Sequence, residues 1–103
     1  MPTRVQTTFY SDFKLANAFG LSTVEHFFKR TFAEWQHDYK YMTELTIALN
    51  AILWELYTQY EKRPSKRAED FVNLYNRLWS QCDDFCRNHE SKEARRYYFQ
   101  VTD

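Results

Sequence analysis

One long apolar segment, from Tyr39 to Tyr60, constrains the fold of this chain more than any other feature, because it contains neither glycine nor proline. Its apolar residues recur at steps of three and four, which is the spacing of one face of an α-helix. They are Met42, Leu45, Leu49, Ile52, Leu56 and Tyr60. A second stripe beside them comprises Tyr41, Ala48, Ala51, Trp54 and Thr58. A helix that is apolar around so much of its circumference must be covered on several sides, so we predict the central helix of a small bundle.

The composition also favours helices. One glycine and two prolines occur among 103 residues, and the Asn-Gly signal of a tight β-hairpin is absent. Aromatic residues make up 19% of the chain, and large rings allow a short chain to bury enough apolar area to fold alone. We therefore expect a single all-α domain over residues 1–103.

Two helices are expected before the central one. Residues 1–8 are polar and show no period, so we predict a mobile or extended lead-in followed by a short helix from about Asp12 to Phe19. Gly20 stands where a left-handed residue after that helix is favoured. Ser22 and Glu25 fit the capping-box pattern, which predicts a second helix from about Thr23 to His37.

The central helix has a predicted start and a predicted stop. Asp38 is a suitable N-cap, so the turn before the helix is expected to be tight, although a single bent helix through this point is the alternative. Pro64 disfavours helix at the residue before it, and Ser65 can cap the next helix.

The C-terminal part predicts two more helices. The longer runs from about Lys66 to Asn88, and a polar break from Asn88 to Ser91 separates it from a short helix from about Lys92 to Gln100. The apolar stripe of the longer helix comprises Phe71, Leu74, Tyr75, Leu78, Cys82, Phe85 and Cys86. We thus expect three main helices, packed antiparallel because their connections are short, with a short helix near each terminus.

The charge balance and the termini limit the classes of function. The formal net charge is zero, so no global field attracts nucleic acid or an acidic membrane. No signal-like stretch or apolar 20-residue segment is visible, which predicts no membrane association. The two cysteines cannot form a disulfide framework of the secreted type, so we expect a reducing cytoplasm.

Motifs for catalysis and metal binding are weak. No nucleophile stands beside a base, and no glycine-rich phosphate loop occurs. Glu34 and His37 have the spacing of carboxylate-bridged metal bundles, but the motif occurs once, and we favour solvated residues at a helix end. Cys82, Cys86 and His89 share one side of a helix; because both cysteines lie in the apolar stripe, we favour core packing over zinc. We expect no catalytic residues, no metal, no cofactor and no enzymatic activity.

Glu44 is a carboxylate within the apolar segment and a candidate binding residue. A buried carboxylate needs a partner, which Arg77, Arg95 or Arg96 could supply. Either Glu44 lies on the outer edge of the helix or in a structural ion pair, or it contacts a ligand or partner.

Four basic residues surround the break after the central helix: Lys62, Arg63, Lys66 and Arg67. Glu61, Glu69 and Asp70 dilute their charge. Solvated loop charges are the simplest interpretation, and a patch that contacts nucleic-acid phosphates is the alternative.

Trp54 is the third candidate for binding. The small residues Ala48 and Ala51 beside it would let a neighbouring helix or subunit approach, so we predict that Trp54 is buried in this contact and that Trp54→Ala unfolds the protein or nearly so. If Trp54 instead faces water, it becomes the best anchor for a protein partner.

Several short segments resemble a known family. They are residues 7–13 (TTFYSDF), 32–35 (FAEW), 39–45 (YKYMTEL), Leu49-Asn50 with Trp54, 74–79 (LYNRLW) and 98–103 (YFQVTD). Together they resemble small uncharacterised helical proteins encoded in phages and mobile elements of gut bacteria. The resemblance implies a small accessory role in the host cytoplasm, and it brings no site residues with it.

These observations predict a non-enzymatic protein-interaction module, an accessory protein of a phage or mobile element that acts on a protein partner. Exposed tyrosine and tryptophan are common anchors of such interfaces. Self-association as a homodimer is a further expectation. The alternative is a small nucleic-acid-binding accessory or regulatory protein that uses Lys62, Arg63, Lys66 and Arg67.

Overall fold

The protein folds into a small all-α bundle, as the sequence predicts. The computed structural model describes the backbone of residues 4–102 and the side chains of residues 9–90. Within that backbone there are four helices and no strand: α1 Arg4–Phe19, α2 Leu21–Trp35, α3 Tyr39–Lys62 and α4 Lys66–Thr102. The antiparallel arrangement of the helices stays a prediction.

Helix α3 is the central helix that its apolar pattern predicts. Four of its stripe residues are completely shielded from solvent: Met42, Leu45, Leu49 and Ile52. The Asp38 side chain caps the helix by accepting hydrogen bonds from the backbone N–H groups of Lys40 and Tyr41. The helix ends at Lys62, just before Pro64, so the predicted start and stop are both confirmed.

The core is rich in aromatic rings. Phe13 of α1 is fully buried, and its ring meets Phe27 of α2 edge-on at 4.8 Å and Tyr75 of α4 edge-on at 6.1 Å. Edge-to-face contacts of this kind are the arrangement that aromatic quadrupoles favour. These rings join α1, α2 and α4 in one core with the buried residues of α3.

Gly20 forms the sharp connection between α1 and α2. Its backbone has φ 122° and ψ 178°, a conformation essentially restricted to glycine. Helix α2 begins at once, at Leu21, with no side-chain cap, so the predicted capping box of Ser22 and Glu25 is wrong. Because the helix starts earlier than predicted, Ser22 lies inside its first turn, and Glu25 instead pairs with Arg77 at 3.2 Å.

The first helix also begins earlier than predicted. Helix α1 starts at Arg4, so residues 4–8 are helical and not an extended lead-in. No glycine or proline occurs between Arg4 and Phe19 to stop the helix. Residues 1–3, which belong to the same predicted lead-in, lie outside the described residues.

The predicted break from Asn88 to Ser91 does not occur. Helix α4 continues to Thr102, so a single long helix replaces the predicted pair, and the expectation of three main and two short helices is wrong. Polar residues other than glycine and proline cost at most about 0.7 kcal/mol each in a helix. Contacts with α3 support this part of α4: the Tyr39 ring stacks on His89 at 4.2 Å, and its hydroxyl donates to Glu90 Oε1 at 2.5 Å.

Candidate functional site

The solvent side of α3 carries an unusual number of apolar residues. We call this surface the outer face of α3 and define it by residues at helical spacing: Lys40, Thr43, Ile47, Asn50, Ala51, Trp54, Tyr57, Thr58 and Glu61. Its large exposed apolar side chains are Trp54 at 62%, Ile47 at 45% and Tyr57 at 45% exposure. Ile47, Ala51 and Trp54 are exposed and follow one another at steps of four and three, and exposed apolar side chains grouped on one face are typical of an interaction surface.

Trp54 is therefore not buried between the helices of one chain, so the predicted packing against a neighbouring helix is wrong, while contact with another subunit stays a prediction. The stripe to which it was assigned divides: Ala48 is only 1% exposed and belongs to the core, whereas Ala51, Trp54 and Thr58 face water. The sequence analysis favours Trp54 as an anchor for a protein partner if its side chain faces water, and the Trp54 side chain is exposed.

An open cleft of about 420 Å³ lies beside Trp54. Its wall combines three residues of α3 with three of α4: Leu53, Trp54, Tyr57, Val72, Asn73 and Asn76. The rings of Trp54 and Tyr57 meet edge-on, with centroids 6.5 Å apart. Apolar walls with a few amide groups suit an inserted side chain and its polar backbone. Of the residues that line this cleft, the periodic sequence pattern indicated only Trp54. The residues from α4 could not be predicted, because they reach the cleft only through the packing of α4 against α3.

Helix α1 holds the next residue of α3, Glu55, in place. The Tyr10 hydroxyl donates to Glu55 Oε1, and Lys14 Nζ lies 2.8 Å from Oε2. Burial alone would raise the pKa of Glu55, but the hydrogen bonds from Lys14 and Tyr10 outweigh it and lower that pKa below its ordinary value. The three residues join α1 to α3 beside the outer face. No periodic signal in the sequence indicated this contact.

The four basic residues lie around the connection between α3 and α4, and all are exposed. Lys66 Nζ is 3.2 Å from Asp70 Oδ1, and this hydrogen bond raises the pKa of the Lys66 ammonium. The Arg67 guanidinium lies over the Phe71 ring at 5.2 Å. Among the described side chains, Lys62 and Arg63 form no ion pair. We call this group the basic loop.

Glu44 follows Thr43 of the outer face in α3, but its side chain is buried. Its side chain is 8% exposed, and Oε2 has no hydrogen-bond partner among the described residues. An outer-edge position is therefore wrong. Arg77 is not its partner, since Arg77 pairs with Glu25, and the side chains of Arg95 and Arg96 lie outside the described residues.

The two cysteines pack in the core, as their apolar neighbours predict. Both are buried and free, and burial raises the pKa of the Cys82 thiol to about 12. Glu34 and His37 are exposed, and within the described part of the chain no three His, Cys, Asp or Glu side chains are grouped as metal ligands.

Comparison with known proteins identifies no relative: no protein-family profile, curated protein or solved structure matches this chain. Among the helices within the described residues, none combines the length and the apolar character needed to cross a membrane.

Proposed function

We propose that this chain is a non-enzymatic protein-interaction module whose docking surface is the outer face of α3. The observation that carries the proposal is the 62% exposure of Trp54 on a helix whose opposite side is fully buried. Tryptophan is strongly enriched among the residues that dominate binding energy at protein interfaces. Ile47 and Tyr57 extend its apolar surface along the helix, and the adjacent cleft can receive a partner's side chain.

Rigidity supports the same proposal. Binding costs less when a surface is already ordered, and α3 is held on its inner side by the core and at Glu55 by two residues of α1. The proposal includes antiparallel packing of α3 and α4. Two contacts between α3 and α4 support this arrangement: the Tyr39 hydroxyl donates to Glu90 Oε1, and Thr46 Oγ1 lies 3.7 Å from Cys86 Sγ. The residue number rises along α3 from the first contact to the second and falls along α4.

The proposed setting is a bacterial cytoplasm, with the chain acting as an accessory protein of a phage or mobile element. This part rests on the family resemblance of the sequence. Two free, buried cysteines are compatible with a reducing compartment.

Capture of a partner from a bacterial lysate tests the docking surface when it is done with matched variants. Trp54→Ala is compared with Phe19→Ala, which removes an aromatic ring of similar exposure, 73%, from α1. We expect the parent chain and Phe19→Ala to retain the same protein and Trp54→Ala to lose it. The captured protein, once purified, should bind the parent chain directly. Equal capture by all three chains would contradict the proposal.

A second candidate function is nucleic-acid binding through the basic loop. The observation that favours it is the exposure of Lys62 and Arg63 without an ion-pair partner among the described side chains, next to Lys66 and Arg67. Such cations can neutralise phosphates and release counterions, so binding should weaken steeply with added salt.

A gel-shift assay at low salt separates the two candidates. We expect Lys62→Ala with Arg63→Ala to abolish any retardation of duplex or single strands. The control is Lys29→Ala with Arg30→Ala, which removes an adjacent exposed pair of the same charge from α2. If the parent chain retards neither kind of strand, this second function is excluded.

A further inference from the structure

We infer that the outer face of α3 binds the same face of a second copy of this chain. The two helices lie antiparallel, related by a two-fold axis that passes between Asn50 and Ala51. The inference names the partner of the docking surface proposed above and rests on that proposal. A two-fold interface uses one patch on both subunits, so the patch must be complementary to itself.

The spacing of residues along the outer face meets that requirement. In an antiparallel pair, each residue faces the one that lies equally far on the other side of the axis. Ile47 then faces Trp54 of the second copy, and Thr43 faces Thr58. Lys40 at one end of the face lies opposite Glu61 at the other end. Because the arrangement is symmetric, every one of these pairs occurs twice.

The charges determine the orientation of the two helices. Lys40 and Glu61 are both exposed, and neither forms an ion pair with another described side chain. No other charged residue belongs to the outer face. An antiparallel pair brings each lysine to a glutamate, whereas a parallel pair in register would set Lys40 against Lys40 and Glu61 against Glu61. Opposed like charges disfavour the parallel form.

The two threonines between these charges can be buried without leaving their hydroxyls unpaired. Thr43 Oγ1 donates to the backbone oxygen of Tyr39 at 3.0 Å, and Thr58 Oγ1 donates to that of Trp54 at 2.9 Å. Each threonine can therefore contribute its methyl group to an interface, since its donor is already used. Ala51 at the axis is small, which permits the close approach of two helices. Ile47 provides an aliphatic surface for the indole ring.

The test is sedimentation of the full chain over a wide range of concentration, with charge reversals at the ends of the face. We expect the parent chain to show a reversible monomer–dimer equilibrium. Lys40→Glu and Glu61→Lys should each raise the dissociation constant about ten-fold, because two attractive pairs become repulsive. A mixture of these two variants should recover the parent's affinity, since every pair in the mixed dimer again joins opposite charges. Lys29→Glu, a reversal at an exposed site on α2, should leave the equilibrium unchanged.

Trp54→Ala tests the centre of the same face and should raise the dissociation constant at least about thirty-fold. A parent chain that stays monomeric, or charge variants that do not recover on mixing, would overturn the inferred dimer. The proposed function fails separately. If the parent chain is monomeric but Trp54→Ala loses a captured protein, the docking surface stands and only the second copy is wrong. If Trp54→Ala neither loses a partner nor changes self-association, both are wrong.

Discussion

The hydroxyl of Tyr75 in α4 donates a hydrogen bond to Asn17 Oδ1 in α1 over 2.5 Å, although the Tyr75 side chain is otherwise completely buried. The same hydroxyl lies 3.4 Å from the backbone oxygen of Phe13. A buried hydroxyl without a partner is costly, so Asn17 allows a tyrosine to occupy this core position. The contact joins helices that are far apart in the sequence.

Removing only this hydroxyl should weaken the fold modestly. In Tyr75→Phe the ring still packs against Phe13, but Asn17 loses its donor, so we expect a loss of about 1 kcal/mol in the free energy of unfolding. Tyr75→Ala also leaves a cavity and should cost about 3–5 kcal/mol. Urea unfolding monitored by circular dichroism measures both. Equal losses in the two variants would show that the hydroxyl carries all of the contribution and the ring none.

Alkaline pH should destabilise the protein through Cys82 and Tyr75. Burial raises the pKa of the Cys82 thiol from 9.0 to about 12 and raises that of the Tyr75 hydroxyl above its ordinary 10.0. Above the unfolded values the unfolded chain releases protons that the folded chain retains. The stability is therefore complete below pH 9.0 and falls as the pH rises through the folded values.

Cys82→Ala provides the test of this pH dependence. Each group contributes a slope of up to about 1.4 kcal/mol per pH unit. Between about pH 9 and pH 10 the slope comes mainly from the thiol, because tyrosine in the unfolded chain has a pKa of about 10 and is still mostly protonated over this interval. We expect the variant to be less stable than the parent at neutral pH but to lose less stability over this interval in urea titrations. Parallel pH profiles would contradict the assignment to Cys82.

Gly20→Ala should destabilise the connection between α1 and α2. The φ of 122° strains any residue with a Cβ, although a methyl group there would meet no atom within 4 Å. The cost, about 1–3 kcal/mol, therefore reflects backbone conformation alone. Ser22→Ala is the control: its side chain makes no capping bond, so thermal melting should match that of the parent chain within error. An unchanged melting temperature for Gly20→Ala would mean that the connection relaxes to an ordinary conformation.

The parts of the fold that sequence reasoning predicted correctly depend on local signals. Asp38 caps α3, and Ser65 Oγ accepts a hydrogen bond from the backbone N–H of Ala68 in α4. Both bonds join residues within three positions of each other, so the local sequence predicts them. The continuation of α4 was predicted incorrectly because it involves contacts between distant segments. The polar segment after Cys86 remains helical, and Tyr39 of α3 packs on His89 within it. The residues next to Tyr39 and His89 in the chain do not indicate this contact.

The candidate site shows the same limit. The apolar pattern identified Trp54 as exceptional, but Ala48 and Trp54 belong to one wide stripe, and the pattern cannot show which side of it is covered. The position of α1 decides this. Its residues Tyr10 and Lys14 contact Glu55, so α1 covers that side of α3, whereas Trp54 lies about 100° away around the helix and stays open.

Trp54→Ala should therefore leave the fold nearly as stable as before, in contrast to the prediction from its sequence pattern. The exposed indole contributes little more than its edge contact with Tyr57, so we expect a loss below about 1 kcal/mol. Phe13→Ala, which truncates a completely buried ring, should cost about 3–5 kcal/mol. Thermal and urea unfolding measure the stability of the parent chain, Trp54→Ala and Phe13→Ala. The concentration is kept low enough for all three to be monomeric. If Trp54→Ala is as damaging as Phe13→Ala, the indole packs within the bundle; if it is nearly silent, any binding lost in this variant is lost at the surface itself.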